Sequence, residues 1–219
     1  EAAKILGADR TYFVLNGTSA SNKVVSGALV KEGDLVLYDR NNHKSNNYGA
    51  LLIGGGIPVY LETDRNPQGS IGPVHYHAWD EEAIRGKIKN HPLIEDPGAW
   101  KKPRPFRLLI MQTLTYDGTI YNVREVLKRV GHLCEYILFD EAWGSFLKFH
   151  PLFDNNCAMD LEVGPEDPGI VSTQSTHKQL SGFSQASQIC VKDHHLEGQQ
   201  RRCGHKRFNE AYLVHASTS

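Results

Sequence analysis

The chain has 219 residues, 40% hydrophobic and 22% charged, proportions of a globular protein that exclude disordered and fibrous classes. Its 24 basic and 25 acidic side chains leave a net charge of -1, which argues against a protein that lives on nucleic acid or on an anionic membrane. No apolar run approaches the roughly 20 residues of a membrane span, "EAAKILGADR" lacks a secretory core, and Cys134, Cys157, Cys190 and Cys203 form no CxxC pair, so free thiols and a cytoplasmic location are expected.

In chain order, "TYFVLNG" (11–17) reads as a buried strand running into a turn, and "SASNKVVSGALV" (19–30) has helical spacing. "DLVLYD" (34–39) is a strand, "HKSNNYGALLIGG" (43–55) a helix stopped by glycines, and "PVYLET" (58–63) a third strand. "WDEEAIRGKIKNH" (79–91) is a helix opened by acidic residues. The proline-rich stretch 91–106 is a loop inserted in one domain rather than a linker. Then come strand 106–114, helix 122–133, strand 135–142, strand 169–175 and the stretch 183–192. Strands alternating with helices predict an α/β fold with a mainly parallel sheet flanked by helices. In such a sheet the working residues lie beyond the carboxyl ends of the strands.

Four polar clusters follow strands. In "NGTSASNK" (16–23), Thr18 and Ser19 stand where a helix begins, suited either to a phosphate or to ordinary capping. His43 in "DRNNHKSN" (39–46) is either a loop residue or a ring that stacks on a planar cofactor. The strand "YILFD" ends at Asp140, a carboxylate that caps a turn or pairs with a metal, an arginine or a protonated ring nitrogen; Trp143 follows and could wall a pocket. In "STQSTHKQLSGFSQ" (172–185), Lys178 follows Ser175 and His177, and is either a solvated strand-end charge or a nucleophile made reactive by desolvation. The basic segment 194–207 matches no zinc signature and reads as a solvated charged loop, and "HYH" (75–77) as a plain loop.

Together, "YFVLNGTSASNK", "DRNNHKSN", "TYDGTIYN", "ILFDEAW" and "QSTHKQLSGFSQAS" resemble the prokaryotic ornithine/lysine/arginine decarboxylases, which depend on pyridoxal phosphate. Stretches such as "PVYLETDRNPQGSIG" and "GQQRRCGHKRFNEAYLVHASTS" resemble the ornithine branch most. The resemblance implies the large domain of an aspartate aminotransferase-like, fold type I transferase. It implies that Lys178 bonds covalently to the cofactor, that Asp140 pairs with its ring nitrogen and that His43 stacks on its ring. Thr18, Ser19, Ser175 and His177 would hold the phosphate, Trp143 would line the ring pocket, and Ser217 would reach a neighbouring subunit's phosphate. His177 and Lys178 are both candidates to return a proton to the substrate carbon.

The implied reaction is decarboxylation of a basic amino acid, ornithine to putrescine and CO2 in the first place, arginine or lysine in the second. "DEAW" (140–143) and "STHKQL" (175–180) lean toward the arginine and lysine branches, and Glu141 adds a carboxylate beside Asp140. Family members are several times longer, so residues 1–219 are expected to form a piece of the cofactor domain without the flanking family domains, and a catalytically inactive cofactor-domain remnant acting as an interaction module is a reading from another class. The expected partners are the amino acid substrate and further copies of the chain, as a homodimer or larger, with no nucleic acid and no membrane.

Overall fold

The structure, a computed structural model, describes residues 1–216. Helix α1 (Ala2–Leu6) leads into strand β1 (Arg10–Leu15), helix α2 (Gly17–Leu29) and strand β2 (Leu35–Asp39). A short α3 (Lys44–Asn46) widens into a π-helical stretch, Asn47–Ile53, ahead of β3 (Ile57–Leu61). β4 (Thr63–Arg65) and β5 (Ile71–Val74) form a separate small hairpin. Helix α4 (Glu81–Lys89) starts where the Asp80 carboxylate accepts the Ala83 N–H, with Glu81 and Glu82 in the first turn and Lys87 and Lys89 in the last, charges that suit the helix dipole. β6 (Phe106–Gln112), α5 (Val123–Val130), β7 (Cys134–Asp140), β8 (Gly169–Gln174), a single-turn α6 (Thr176–Gln179), β9 (Ala186–Lys192) and α7 (His205–Ala216) complete the chain.

Seven strands make one sheet in the order β1-β9-β8-β7-β6-β2-β3. Only β9 opposes its neighbours in direction; β3, β2, β6, β7 and β8 pair in parallel. Side chains alternate across the sheet, and this alternation divides the core in two. On one face Val36, Leu108, Ile110, Tyr136, Leu138 and Val171 pack under α2, the π-helical stretch and α7. On the other, Leu37, Leu109, Met111, Ile137, Phe139 and Ile170 pack under α4, α5 and the segment around residues 157–161. The same alternation sends Asp140, two residues beyond Leu138, toward α2.

Several sequence expectations change here. β1 is the sheet's edge and is not buried: only Val14 is enclosed, while Phe13 and Leu15 face outward. The charged stretch 194–207 is no solvated loop throughout. Arg202 pairs with the fully buried Asp193, which also binds Arg10, and from His205 the chain is helix. α7 forms because Phe208 and Ala211 bury a stripe against α2 and Tyr12. The 43–55 helix is π-wound over most of its length, and the hairpin at 63–74 was not expected at all.

Packing is tight between β8 and β7: a Cβ on Gly169 would lie 2.2 Å from Cε1 of the buried Tyr136. Gly169→Ala is therefore expected to destabilise the fold by about 1–3 kcal/mol through overpacking. Denaturant unfolding checks this, and an unchanged midpoint would show that the ring moves aside freely.

Candidate active site

At the carboxyl ends of the parallel strands lies a cavity of about 280 Å³, near the small end of the roughly 300–1,000 Å³ of small-ligand sites. Its walls include Thr18 and Ser19 from the start of α2, His43 beyond β2, Asp140 and Trp143 beyond β7, and Ser175, His177 and Lys178 beyond β8. Residues spread over 160 positions of sequence thus meet at one sheet edge. Ser217 lies outside the described residues.

The end of the cavity near β1 and β8 is built for an anion. Asn16 enters α2 in the left-handed region (φ 72°) and makes no side-chain cap, and Gly17 follows at φ 73°. Among the described residues the first-turn N–H groups of α2 therefore have no side-chain acceptor, and they carry the positive end of the helix dipole. The Thr18 and Ser175 hydroxyls hydrogen-bond at 2.6 Å and are both buried. His177 donates Nδ1–H to the Ala186 carbonyl at 2.7 Å, which assigns its tautomer and leaves Nε2 uncommitted.

Asp140 forms the floor and is 2% exposed. Its Oδ2 accepts from the side-chain amides of Asn22 (2.9 Å) and Asn46 (3.1 Å), and its Oδ1 accepts from the Ala142 N–H at 3.1 Å. All three partners are donors, which suits an acceptor-only carboxylate. Asn22 is the hub. Its second amide hydrogen goes to Ser45 Oγ (2.9 Å), its Oδ1 accepts from the Thr173 hydroxyl (2.7 Å), and Ser45 Oγ lies 2.7 Å from His43 Nδ1. Because His43 Nδ1 also accepts the Ser45 N–H, the ring's proton belongs on Nε2. One asparagine thus sets the carboxylate and, through Ser45, the imidazole.

Lys178 is open to solvent on one side, and its Nζ sits 4.4 Å from the centroid of Trp143. Partial burial pulls its ammonium below the ordinary lysine value, opposed by the Asp140 carboxylate. Glu141 does not enter the cavity. It belongs to the opposite face of the sheet, fully buried, accepting from Ser172 (2.6 Å), Ala158 N–H (2.7 Å) and Gln174 (2.8 Å), and burial raises its pKa. A larger cavity of about 1,050 Å³ opens at the amino ends of the strands, where Arg107 pairs with Glu135 and Lys102 with Asp96. It holds none of the cluster residues.

Asn22, Asn46, Gln112 and Thr173 were missed by the sequence reading. Asn22 follows Thr18 by one helical turn and so shares its face; Gln112 and Thr173 follow Ile110 and Val171 by two residues and so share theirs. Asn46 closes the polar window 39–46 and lies one helical turn beyond Asn42, to whose Oδ1 its amide donates.

The family model described as "Orn/Lys/Arg decarboxylase, major domain" matches residues 1–219. The chain belongs to this family. Among decarboxylases, it is 56% identical to the constitutive ornithine decarboxylase of Escherichia coli K12 over 218 residues, covering 100% of this chain and 30% of that protein. It is 53% identical to the ornithine decarboxylase of Haemophilus influenzae, again over 100% of this chain and 30% of the relative. The solved lysine decarboxylase A of Pseudomonas aeruginosa superposes with a TM-score of 0.87 at 40% identity, over 100% of this chain and 28% of that one. A lysine-to-alanine variant of serine palmitoyltransferase from S. paucimobilis, solved with a bound PLP–myriocin aldimine, superposes with a TM-score of 0.59 at 15% identity over 97% of this chain and 44% of that one, a likeness of fold alone. The fold is that of the fold type I, pyridoxal-phosphate-dependent enzymes, and the chain spans about 30% of the length of the curated decarboxylases it matches.

Two predictions follow from the carboxylates. Asn22→Leu leaves Asp140, Ser45 and Thr173 each short of a buried partner, so a loss of about 2–4 kcal/mol is expected in denaturant unfolding; a loss under about 0.5 kcal/mol would mean that the hub is dispensable. Asp39, 2% exposed, accepts the N–H groups of Asn41 (2.8 Å) and Gln112 (3.2 Å), and burial first, then Asp140, pushes its pKa up to about 7. A raised acid stabilises the fold fully below the unfolded value of about 3.9, and that contribution is lost as pH rises through the folded value. The stability of the wild type relative to Asp39→Asn should therefore fall by on the order of 2–4 kcal/mol between pH 4 and pH 8. A difference that stays level over that range would show that Asp39 titrates normally.

Proposed function

We propose that this chain binds pyridoxal phosphate and forms the catalytic part of a decarboxylase that converts L-ornithine to putrescine and CO2. The observation that carries the reading is the meeting, in one cavity, of an uncapped helix N-terminus, a buried carboxylate, an oriented imidazole and a lysine. The residues fit the cofactor on a further ground: Gln112 Oε1 is buried in the cavity wall with no hydrogen-bond partner among the described residues. The preference for ornithine rests on identities of 56% and 53% to ornithine decarboxylases, against 40% and 38% to lysine and arginine decarboxylases.

When bound, pyridoxal phosphate supplies the electron sink that takes up the pair left by departing CO2. The rest falls to the chain. The α2 N–H groups with Thr18, Ser19 and Ser175 bind the phosphate. Asp140 holds a proton on the ring nitrogen, and Asn22 and Asn46 hold Asp140. His43 covers one face of the ring and Trp143 walls the pocket. Lys178 would be the covalent anchor, and the Lys178 side chain and a protonated His177 are the two candidates to return a proton to the substrate carbon.

The wider setting is part of the same proposal. Residues 1–219 form part of the cofactor-binding large domain, and the enzyme works as a homodimer or larger assembly on a free amino acid. No helix among the described residues is long and apolar enough to cross a membrane. The four cysteines are unpaired and buried, which suits the reducing cytoplasm.

Intact protein supplied with pyridoxal phosphate should be yellow, and Lys178→Ala should abolish the visible band of the covalent adduct while leaving the fold unchanged by circular dichroism. CO2 release from ornithine, lysine and arginine measured side by side should favour ornithine by at least about tenfold in kcat/KM, a difference of about 1.4 kcal/mol. A colourless wild type that takes up no cofactor defeats the whole reading. Faster release from lysine or arginine defeats the substrate assignment alone.

A further inference from the structure

Gln112 is a polar residue of the cavity wall to which the roles above give no task. It ends β6, and its Cα stands opposite that of Asp140 in the parallel ladder. Its parity with Leu108 and Ile110 turns the side chain to the α2 face of the sheet, the face of Asp140. Its backbone is pinned, since its N–H donates to the buried Asp39 carboxylate at 3.2 Å. Its side-chain Oε1 is buried and has no hydrogen-bond partner among the described residues. A buried amide oxygen without a partner costs about 1–3 kcal/mol, so such a group is kept where something else satisfies it.

The sheet order says what that is. Ser175 follows β8, Asp140 ends β7 and Gln112 ends β6, in that spatial sequence. The anion-binding end of the cavity, with Thr18, Ser19 and Ser175, therefore lies on one flank of Asp140 and Gln112 on the other. In pyridoxal phosphate the phosphate arm leaves one side of the axis from the ring nitrogen to the aldehyde carbon. The 3-hydroxyl and 2-methyl groups leave the other. With the phosphate at α2 and the ring nitrogen at Asp140, Gln112 faces the edge that bears the hydroxyl.

We propose that the Gln112 side-chain amide hydrogen-bonds to the 3-hydroxyl of the cofactor ring, and that Gln112 is a positioning residue that selects this edge. The inference rests on the proposed function. An amide suits the task because it can donate or accept according to its orientation, and so serves the hydroxyl in either protonation state. It also adds no charge beside Asp140.

The test compares pyridoxal phosphate with 3-deoxypyridoxal phosphate, binding being measured by equilibrium dialysis on the intact protein, with no turnover required. Gln112→Met keeps the length of the side chain and removes its hydrogen bonding. It should weaken pyridoxal phosphate by about tenfold, the worth of one buried hydrogen bond, and leave the deoxy analogue within about twofold of its wild-type affinity. Gln112→Leu should repeat the pattern. Equal weakening of both cofactors in the folded variants overturns the proposal. So does a wild type that binds the two cofactors equally, an outcome that needs no variant. A wild type that binds neither overturns the proposed function as well, which keeps the two failures apart.

Discussion

The site depends on a buried carboxylate that is held by neutral N–H donors and makes no direct salt bridge among the described residues. Asp140 sits under α2 at 2% exposure, and it is tolerable there because N–H groups from three separate segments converge on it. Satisfying those bonds fixes much else. Asn22 can reach Asp140 only if α2 lies across β7, and Asn46 only if the chain after β2 folds back over the same face. His43 is then oriented through Ser45, whose hydroxyl Asn22 also holds. One carboxylate therefore sets the position of a helix, a loop and a ring.

α2 can serve as this bridge because it is enclosed on nearly every side, unlike an ordinary surface helix. It meets the sheet through polar pairs, Thr18 with Ser175, Ser21 with Ser187 and Asn22 with Thr173, alongside Val24, Val25, Ala28 and Leu29. Small residues bring its neighbours close: a Cβ on Gly27 would lie 2.8 Å from His215 of α7, and one on Gly49 3.0 Å from Ser26 Oγ. The polar pairs fix the register of α2 along the sheet, and the small residues let the π-helical stretch and α7 approach. The helix whose start forms the anion end of the cavity is accordingly held in place along its whole length.

The windows that most resembled other branches of the family carry less substrate information than their closeness to Asp140 and Lys178 suggests. Glu141 is next to Asp140 in sequence and on the other side of the sheet in space, where it ties β8 to the segment at Ala158. Strand alternation explains this, and it was readable from "YILFDE" once the face of one residue was known. The edge position of β1 was not readable. A short apolar run looks the same in the middle of a sheet and at its edge, and the difference lies in pairing with β9, some 175 positions away.

The sequence alone determined the strand and helix alternation, the parallel sheet that follows from it, and the four polar clusters at strand ends, because periodicity and turn chemistry are local properties. It also carried the family, through motifs whose order does not depend on knowing the fold. Only the tertiary structure decided which partners hold Asp140, that Glu141 points away, that 205–216 is a helix and that Gln112 has a buried oxygen to satisfy. Each of these depends on contacts between residues distant in sequence: Asn22 and Asp140 are 118 positions apart. No local pattern records such contacts, because the desolvation that makes them necessary arises only when the layers close over the sheet.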